Sequence, residues 1–473
     1  MKNCDTIRRL VLSTALVLLS AACPAQEEGS SREDSGGHKT GDGITGEAPG
    51  VRAYAALGEE CCGEDPHPVH GTQAAHGSYI LCGKSIDADG NADGFLVNIE
   101  TSSLSGTVFL EENAETSYVW STTFGSAGQF DAANGVAALE NAVLMAGVQT
   151  VSGRPQRALN KYALETGALL WSATFHAPTA GRESAFESIA VTSGGGVVVA
   201  GFVNGEPDGI EGFKSYGNPI SGEANVMFFS AEQLAGNDAP ESPAWEKTYD
   251  LVSIRSIRPV GEDGFVFVAA EDESIYVVVR LDAEGGEEWR TVLTDHGEAT
   301  DIAVLTDNSG FMISGHKDIN SGIDGSITKL DANGSIQWGR TFGNPEGGVN
   351  EFAGLSSGDP MLIYDECWGL QPAEGGGAVV ACGTGIEDCE ADFLDVETQL
   401  QCATDPRVKW RSYIFHVDPD GDETWTRADS YYFPDDPGEG AATASEFIMK
   451  ADNGGIRSVM DQDFGIGLMI LEP

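Results

Sequence analysis

One short segment recurs along the chain and strongly limits what the chain can fold into. The best copies are WGRTFG (338–343), WSTTFG (120–125), WSATFH (171–176) and WEKTYD (245–250). Weaker copies are WRTVLT (289–294), WTRADS (425–430) and VRAYAALG (51–58), the last without a tryptophan. Seven copies of one unit indicate a repeat architecture rather than several unrelated domains.

Each tryptophan segment belongs to a unit of four elements. It is followed by an apolar segment, a Gly-led run and a turn-ended segment, as in DIAVLTD (301–307), GFMISGH (310–316) and GSITKLDANG (325–334). Short runs rich in β-branched and aromatic residues, separated by Gly, Asp and Asn, predict strands. We label these strands A, B, C and D, with the tryptophan segment as D. Four antiparallel strands recurring about every 60 residues are typical of a β-propeller.

The two ends of the repeat region are complementary. The region opens with a lone D strand at 51–57 and ends with a C strand at 465–473. We therefore predict an all-β fold, a seven-bladed β-propeller of four-stranded antiparallel blades at 51–473, whose N-terminal strand completes the last blade. Insertions in blades 3 and 6 leave six or eight blades as alternatives. We expect the repeated tryptophans to pack between blades.

These units resemble the repeats of bacterial secreted β-propeller repeat lipoproteins, which run GGYVVAG, then KLDxxG, then WxxTFG. The resemblance covers most of residues 51–473 and is best at 308–343. It implies the propeller fold, but it implies little about function, because propellers host many activities.

The N-terminal region has the pattern of an export signal. Lys2, Arg8 and Arg9 precede an apolar stretch at 10–22, which is shorter than the roughly 20 residues that span a bilayer. We predict a signal peptide at 1–22 and lipidation of Cys23, with ordinary secretion as the alternative. Residues 23–50 are rich in Gly, Ser and Glu and predict a flexible tether. We expect the protein in the bacterial cell envelope, at the outer membrane or cell surface.

The charge of the chain excludes some partners. It has 26 basic and 74 acidic residues, for a net charge of −48. Nucleic acid is a poor partner because phosphates need a positive surface, and we expect membrane contact through the lipid anchor only. Such acidity favours solubility and cation association, and adaptation to a saline habitat explains it equally well. We expect a monomer.

Two B–C loops carry alternating oxygen side chains. These are Asp87, Asp89, Asn91 and Asp93 in blade 1, and Asp318, Asn320 and Asp324 in blade 5. Calcium takes six to eight oxygen ligands from a curled backbone, so calcium is the candidate cofactor. Neither loop has the glutamate that ends an EF-hand, and a solvated polar turn is the alternative.

The segment CCGEDPHPVHGTQAAH (61–76) is predicted as the D–A loop that leads into blade 1. It contains His67, His70 and His76, which make it a candidate transition-metal site, although no standard zinc spacing is present. A polar loop that carries a disulfide is the alternative.

Seven cysteines remain once Cys4 in the signal peptide and Cys23 are set aside. Cys367 and Cys382 flank the A–B turn of blade 6 and are predicted to face each other across it. Cys389 and Cys402 lie in one long B–C insertion and are predicted to staple it. Cys82 is predicted to form a disulfide with either Cys61 or Cys62, and the other of these two is then predicted to be unpaired. This cysteine usage indicates an oxidising compartment.

Several long insertions fall on one predicted face of the propeller. In the insertion at 430–440, Tyr431, Tyr432 and Phe433 lie beside two aspartates. These aromatic residues are candidates for ligand binding, and the alternative is that they pack locally under the loop. The leading hypothesis is a surface-anchored propeller that binds a protein or glycan through acidic, candidate calcium-binding loops on one face, a function that requires no catalysis. The alternative is an extracytoplasmic hydrolase or lyase that acts on glycans with carboxylates at the propeller funnel. No tryptophan pattern typical of quinone-cofactor propellers is evident.

Overall fold

The computed structural model describes residues 46–74, 77–87, 89–110, 117–206, 222–262, 264–272, 274–294, 296–306, 308–319, 322–343, 352–353, 360–361, 364–385, 410–429, 443–462 and 465–473. Within these ranges nearly all regular structure is β-strand, and two helices of one turn each accompany it. None of the helices in these ranges is long and apolar enough to cross a membrane.

The first three blades follow one another along the chain, together with two strands that belong to blade 7. Their elements are β1 (Val51–Leu57), α1 (Glu59–Cys62), β2 (Pro66–Gln73), β3 (Ser78–Ile86), β4 (Ala92–Glu100), β5 (Gly106–Phe109), β6 (Trp120–Phe124), β7 (Ala132–Ala138), β8 (Ala142–Val151), β9 (Arg154–Ala163), β10 (Leu169–Phe175), β11 (Glu183–Val191), β12 (Val197–Gly205), β13 (Glu223–Phe229), α2 (Ala231–Leu234) and β14 (Trp245–Tyr249). Blade 1 has the strand order β2-β3-β4-β6, blade 2 runs from β7 to β10, and blade 3 runs from β11 to β14.

The remaining blades repeat this arrangement. Their strands are β15 (Ser253–Pro259), β16 (Phe265–Ala270), β17 (Tyr276–Leu281), β18 (Glu287–Leu293), β19 (Glu298–Val304), β20 (Gly310–Ile319), β21 (Gly322–Asp331), β22 (Ile336–Phe342), β23 (Phe352–Ala353), β24 (Pro360–Met361), β25 (Tyr364–Pro372), β26 (Ala378–Gly385), β27 (Arg411–Val417), β28 (Glu423–Asp429), β29 (Thr443–Lys450), β30 (Ile456–Gln462) and β31 (Gly465–Leu471). Blades 4, 5 and 6 are β15 to β18, β19 to β22 and β25 to β28, while β23 and β24 form a separate small hairpin.

The N-terminal strand closes the ring, as predicted. In blade 7, β29, β30 and β31 are followed by β1, which pairs antiparallel with β31 from Val51–Leu471 to Leu57–Ile466. The A strands of neighbouring blades contact one another all the way round, from β2 through β29 and back to β2. The chain is therefore a seven-bladed β-propeller of four-stranded antiparallel blades.

Blade 7 also contains a fifth strand that the repeat pattern did not predict. β5 leaves the C–D connection of blade 1, crosses to blade 7 and pairs parallel with β1, from Ala53–Gly106 to Ala56–Phe109. The backbone N–H of Leu110 extends this contact by donating to the carbonyl of Ala56 at 2.9 Å. The N-terminal strand is thus held on both sides rather than left as an open sheet edge.

The tryptophans of the D strands pack against the next blade, which confirms their predicted place between blades. Trp289 in blade 4 covers Gly334, which has a φ of 85° in the C–D turn of blade 5. A β-carbon at Gly334 would lie 2.6 Å from the indole, so only glycine fits at this position. The same contact joins Trp120 to Gly167, Trp245 to Gly285 and Trp338 to Gly421.

Candidate binding face and central channel

Every A strand carries a β-bulge at the same height around the ring. The pairing of A with B skips one residue in each blade, for example Arg255 between Ile254 and Ser256, and Trp368 between Cys367 and Gly369. The skipped residues of blades 1 to 7 are Val69, Asn134, Glu187, Arg255, Thr300, Trp368 and Glu446. A bulge re-aims the side chain it releases from the ladder. We call these seven residues the bulge ring.

In blades 1, 3 and 5 the residue after the bulge joins its blade to the next one. The carboxylate of Asp301 in blade 5 accepts from the backbone N–H of Leu370 in blade 6 at 3.2 Å. The hydroxyl of Ser188 accepts from Ile257 N–H at 3.2 Å, and His70 Nδ1 accepts from Val136 N–H at 3.3 Å. In these three blades the side chain after the bulge therefore lies in the joint between blades.

The channel around the ring axis is narrow and charged. A cavity of about 60 Å³ is lined by five of the bulge-ring residues together with other A-strand side chains. Arg255 donates to Glu298 at 2.6 Å, and Arg258 donates to Asp301 at 2.7 Å. A cavity of this volume has room for a few water molecules and lies well below the roughly 300 Å³ at which small-molecule pockets begin.

Two glutamates of the channel have pKa values that move in opposite directions. Burial works to raise the pKa of Glu298, but Arg255 and His316 outweigh it and hold the pKa below its usual value. Burial raises the pKa of Glu366, and the negative charge of Glu298 adds to the increase. His316 lies 3.5 Å from Glu298 and meets the ring of Trp368 edge to face. Blades 5 and 6 thus share one buried cluster of acid, base and aromatic groups.

A second charged cluster lies where blade 7 meets blade 1. His67 Nδ1 is 3.0 Å from a carboxylate oxygen of Asp461 at the end of β30, and its Nε2 is 3.4 Å from Asp65. Burial works to lower the pKa of His67, but the two aspartates raise it to about 10. Burial lowers the pKa of Lys84, the strand partner of His67, to about 8 despite Glu187 and Asp461. This cluster ties the closing blade to the first one.

The predicted loop at 61–76 is largely a strand, and this prediction was wrong. Pro66–Gln73 forms β2, the innermost strand of blade 1. Proline is tolerated there because an A strand has a ladder partner on one side only. Of the predicted metal ligands, His67 is bound to aspartates and His70 Nδ1 to a backbone N–H, while His76 lies outside the described residues. Within the described ranges no cluster of three or more His, Cys, Asp or Glu residues could hold a metal ion.

The aspartates predicted to bind calcium in blade 1 form a turn. Asp87 Oδ1 accepts from the backbone N–H groups of Asp89 and Asn91, both at 2.9 Å. Asp331 caps the C–D turn of blade 5 in the same way, through the N–H groups of Asn333 and Ser335. Asp93 already belongs to β4 and is exposed.

The blade 5 copy of the predicted calcium loop has a different structure. Asp318 lies within β20, and Asp324 lies within β21, buried and opposite Lys317. These two aspartates are therefore on the strands of a hairpin rather than in a loop that matches Asp87 to Asp93. Asn320 lies outside the described residues.

Two disulfides are present in the described part of the chain. Cys367 and Cys382 form one of them, across the β25–β26 pair of blade 6. The other joins the adjacent residues Cys61 and Cys62, so the predicted pairing of Cys82 with either of them was wrong. Cys82 is a buried thiol.

Side-chain alternation along β3 explains why Cys82 does not reach that pair. Leu81 and Tyr79 face the cluster that contains Cys61 and Cys62, whereas Cys82 faces blade 2 on the other side of the sheet. Cys389, Cys402, Tyr431, Tyr432 and Phe433 lie outside the described residues.

The strand ends show where the long connections leave the ring. The segments between β12 and β13, β22 and β25, β26 and β27, and β28 and β29 are all D–A or B–C connections. In a propeller these connections leave from one face, which we call the loop face. The A–B turns on the opposite face are short in all seven blades.

The fold and channel define a seven-bladed β-propeller with a narrow, charged axis and long connections on one face. No family model matches the chain, and no curated protein matches it significantly. Similar solved structures include Sqt1 of Chaetomium thermophilum, at 12% identity and a TM-score of 0.45, covering 90% of this chain and 98% of that one.

A second Sqt1 structure from Chaetomium thermophilum, bound to the N-terminus of ribosomal protein L10, is 12% identical with a TM-score of 0.46 and covers 90% of this chain and 100% of that one. The Pan2 WD40 domain of Neurospora crassa is 10% identical with a TM-score of 0.48, covering 91% of this chain and 98% of that domain. At these identities the similarity extends to the fold alone.

Proposed function

We propose that the chain is an exported, lipid-anchored interaction propeller that binds a protein or glycan partner of the cell envelope through its loop face. The observation that carries the binding part is that four of the six longest connections between blade strands start and end on that face, while the other two are the C–D connections of blades 1 and 3 on the opposite face. Binding residues are concentrated on loops that a rigid scaffold positions, so a face with such connections is the natural place for recognition.

The export part of the proposal rests on the sequence at 1–50. The basic start, the short apolar stretch and Cys23 fit a lipoprotein signal, and the polar segment that follows fits a tether. Metabolic labelling with a fatty acid should label the wild-type chain in its bacterium. Cys23→Ala should abolish the label, and labelling of both proteins or of neither would contradict lipidation at this position.

The channel geometry favours binding over hydrolysis of a glycan. The described cavity is too small for a sugar ring, and the carboxylates of Glu298 and Asp301 each bind an arginine. The opposite pKa directions of Glu298 and Glu366 are the one feature that a glycosidase would share. We expect Glu366→Gln to leave the binding of envelope material unchanged. If Glu366 were a catalytic carboxyl, the same substitution would abolish the hydrolysis of a glycan.

A sedimentation assay tests the binding part. Cys23→Ala protein, released from its anchor, is mixed with washed envelopes of the same bacterium, and we expect saturable co-sedimentation. Replacing residues 386–409, which connect β26 to β27, by a short Gly-Ser turn should weaken it at least tenfold. The matched control shortens the C–D connection at 235–243, on the opposite face. Equal loss from both changes, or no loss from the first, would contradict a binding loop face.

A further inference from the structure

The Cys61–Cys62 disulfide lies in the joint that closes the ring. It belongs to α1, the single turn that connects β1, the N-terminal strand of blade 7 that lies between β31 and β5, to β2, the innermost strand of blade 1. This is the point at which the N-terminal closing strand is coupled to the first blade. Within the described ranges, no other connection between neighbouring blades contains a disulfide.

The cystine is part of the apolar packing at this joint. Cys61 is 4% exposed and Cys62 is fully buried. Their cluster includes Ala53, Ala55 and Leu57 of β1, and also Leu81, Phe95, Leu110 and Tyr118 from blade 1 and its C–D connection. Side chains that hold β1 from both directions therefore meet at one disulfide.

Reduction changes the space that this pair of adjacent cysteines needs. Two bonded sulfur atoms occupy less space than two thiols, which must separate to van der Waals distance. The packed joint leaves little room for that separation, because both side chains are buried in one apolar cluster. Reduction therefore has to change the turn α1 and, with it, the position of the end of β1.

We propose that the Cys61–Cys62 disulfide is a redox-controlled clasp, whose reduction loosens β1 locally from the ring. The reductant is a dithiol: one thiolate attacks a cysteine sulfur and forms a mixed disulfide, and the second thiol then displaces the protein thiol. The dithiol is oxidised to its disulfide, the Cys61–Cys62 bond is broken, and both cysteine sulfurs end as protonated thiols. Cys82 faces away across β3 and takes no part in the exchange.

Native-state hydrogen exchange on the full-length protein tests this proposal. The protein is treated with dithiothreitol under folding conditions, and alkylation with mass spectrometry reports the redox state of each cysteine pair. With Cys61 and Cys62 reduced, amides of β1 should exchange at least tenfold faster than in the oxidised protein. Amides of β18, the outermost strand of blade 4 across the ring, are the control and should be unchanged.

Three results would overturn the clasp. They are unchanged exchange of β1 in the reduced protein, equal acceleration of β1 and β18, and failure of the dithiol to reduce the pair in the folded state. The second would show a general loss of stability instead of local release. The double variant Cys61→Ser/Cys62→Ser keeps two unbonded side-chain atoms at these positions and provides the comparison without reductant. A matched variant, Cys367→Ser/Cys382→Ser, should leave β1 exchange unchanged relative to β18.

Discussion

The indole Nε1 of Trp338 in blade 5 donates a 3.0 Å hydrogen bond to the backbone carbonyl of Pro419 in blade 6. Trp120 in blade 1 makes the equivalent bond to Leu164 of blade 2 at 2.8 Å. Each bond crosses from the D strand of one blade to the C–D turn of the next. In these two joints the tryptophan therefore links blades through a polar contact in addition to its packing.

Loss of this link should cost much of the stability of one joint. Trp338→Ala removes both the hydrogen bond and the cover over Gly421, and we expect a loss of about 2 to 4 kcal/mol in the free energy of unfolding. The control is Ile336→Ala on the same strand, whose side chain is 39% exposed and should cost under about 1 kcal/mol. Equal losses in urea unfolding would show that the link is not structural.

The channel arginine should be far more sensitive than a surface arginine. Arg255→Ala leaves Glu298 buried without its guanidinium partner, and we expect a loss of about 3 to 5 kcal/mol. Arg290→Ala removes a partly exposed ion pair with Glu287 and should cost under about 1 kcal/mol. Urea unfolding at neutral pH compares the two, and similar costs would contradict the described channel network.

The cluster between blades 7 and 1 predicts a specific loss of stability in alkali. The folded pKa of His67 is about 10, above the usual 6.5, so its ion pairs stabilise the protein fully below pH 6.5. That contribution falls as the pH rises toward 10. We expect His67→Gln to cost on the order of 2 kcal/mol or more at pH 6.5 and much less at pH 10.

A second histidine serves as the control for this measurement. Burial lowers the pKa of His416, so this ring stays neutral from pH 7 to 10. The cost of His416→Gln in urea unfolding should therefore not change over that range. A cost of His67→Gln that is equally independent of pH would contradict the pairing of His67 with Asp461 and Asp65. The measurements stop below the pKa of arginine, so the arginine ion pairs keep their charge. Lys84 loses its proton in the same range, so the cost of Lys84→Met is measured beside that of His67→Gln and subtracted.

The turn at Asp87 should behave like the ordinary turn at Asp331. Asp87→Ala and Asp331→Ala each remove a side-chain acceptor for two backbone N–H groups, and both should lower the melting temperature by about 1 to 2 °C. Calcium added to chelator-treated protein tests the other hypothesis. A rise in the wild-type melting temperature that Asp87→Ala abolishes would identify Asp87 as a calcium ligand.

Much of the fold could be predicted because the B and D strands of each repeat have recognisable sequences. The D-strand tryptophans and the Gly-led B strands recur with little change, and the unmatched D and C strands at the two ends predict closure. β5 could not be predicted, because its pairing with β1 joins blade 7 to a connection of blade 1 and matches no repeated unit. The vicinal disulfide was missed because pairing was expected between segments distant in sequence.

The bulge ring was missed for a different physical reason. The apolar segments SIAVTS (188–193) and DIAVLTD (301–307), which predict A strands, begin directly after the bulged residues Glu187 and Thr300. Before the bulge the strands carry polar side chains that face the channel, so their sequences do not look like buried strands. One sequence signal could have indicated the bulge: in blades 3 and 5, polar residues precede the same kind of apolar segment.

Site-specific photo-cross-linking in the full-length protein, expressed in a bacterium, tests the proposed loop-face function most directly. A photoreactive amino acid is placed at Ala127 or Ala180, in exposed D–A turns of the loop face, and at Glu165 or Glu374, in exposed turns of the opposite face. The proposal predicts discrete adducts, competed by the soluble Cys23→Ala protein, from the first pair only. Adducts from the second pair alone, equal adducts from both, or none from the loop face would contradict it.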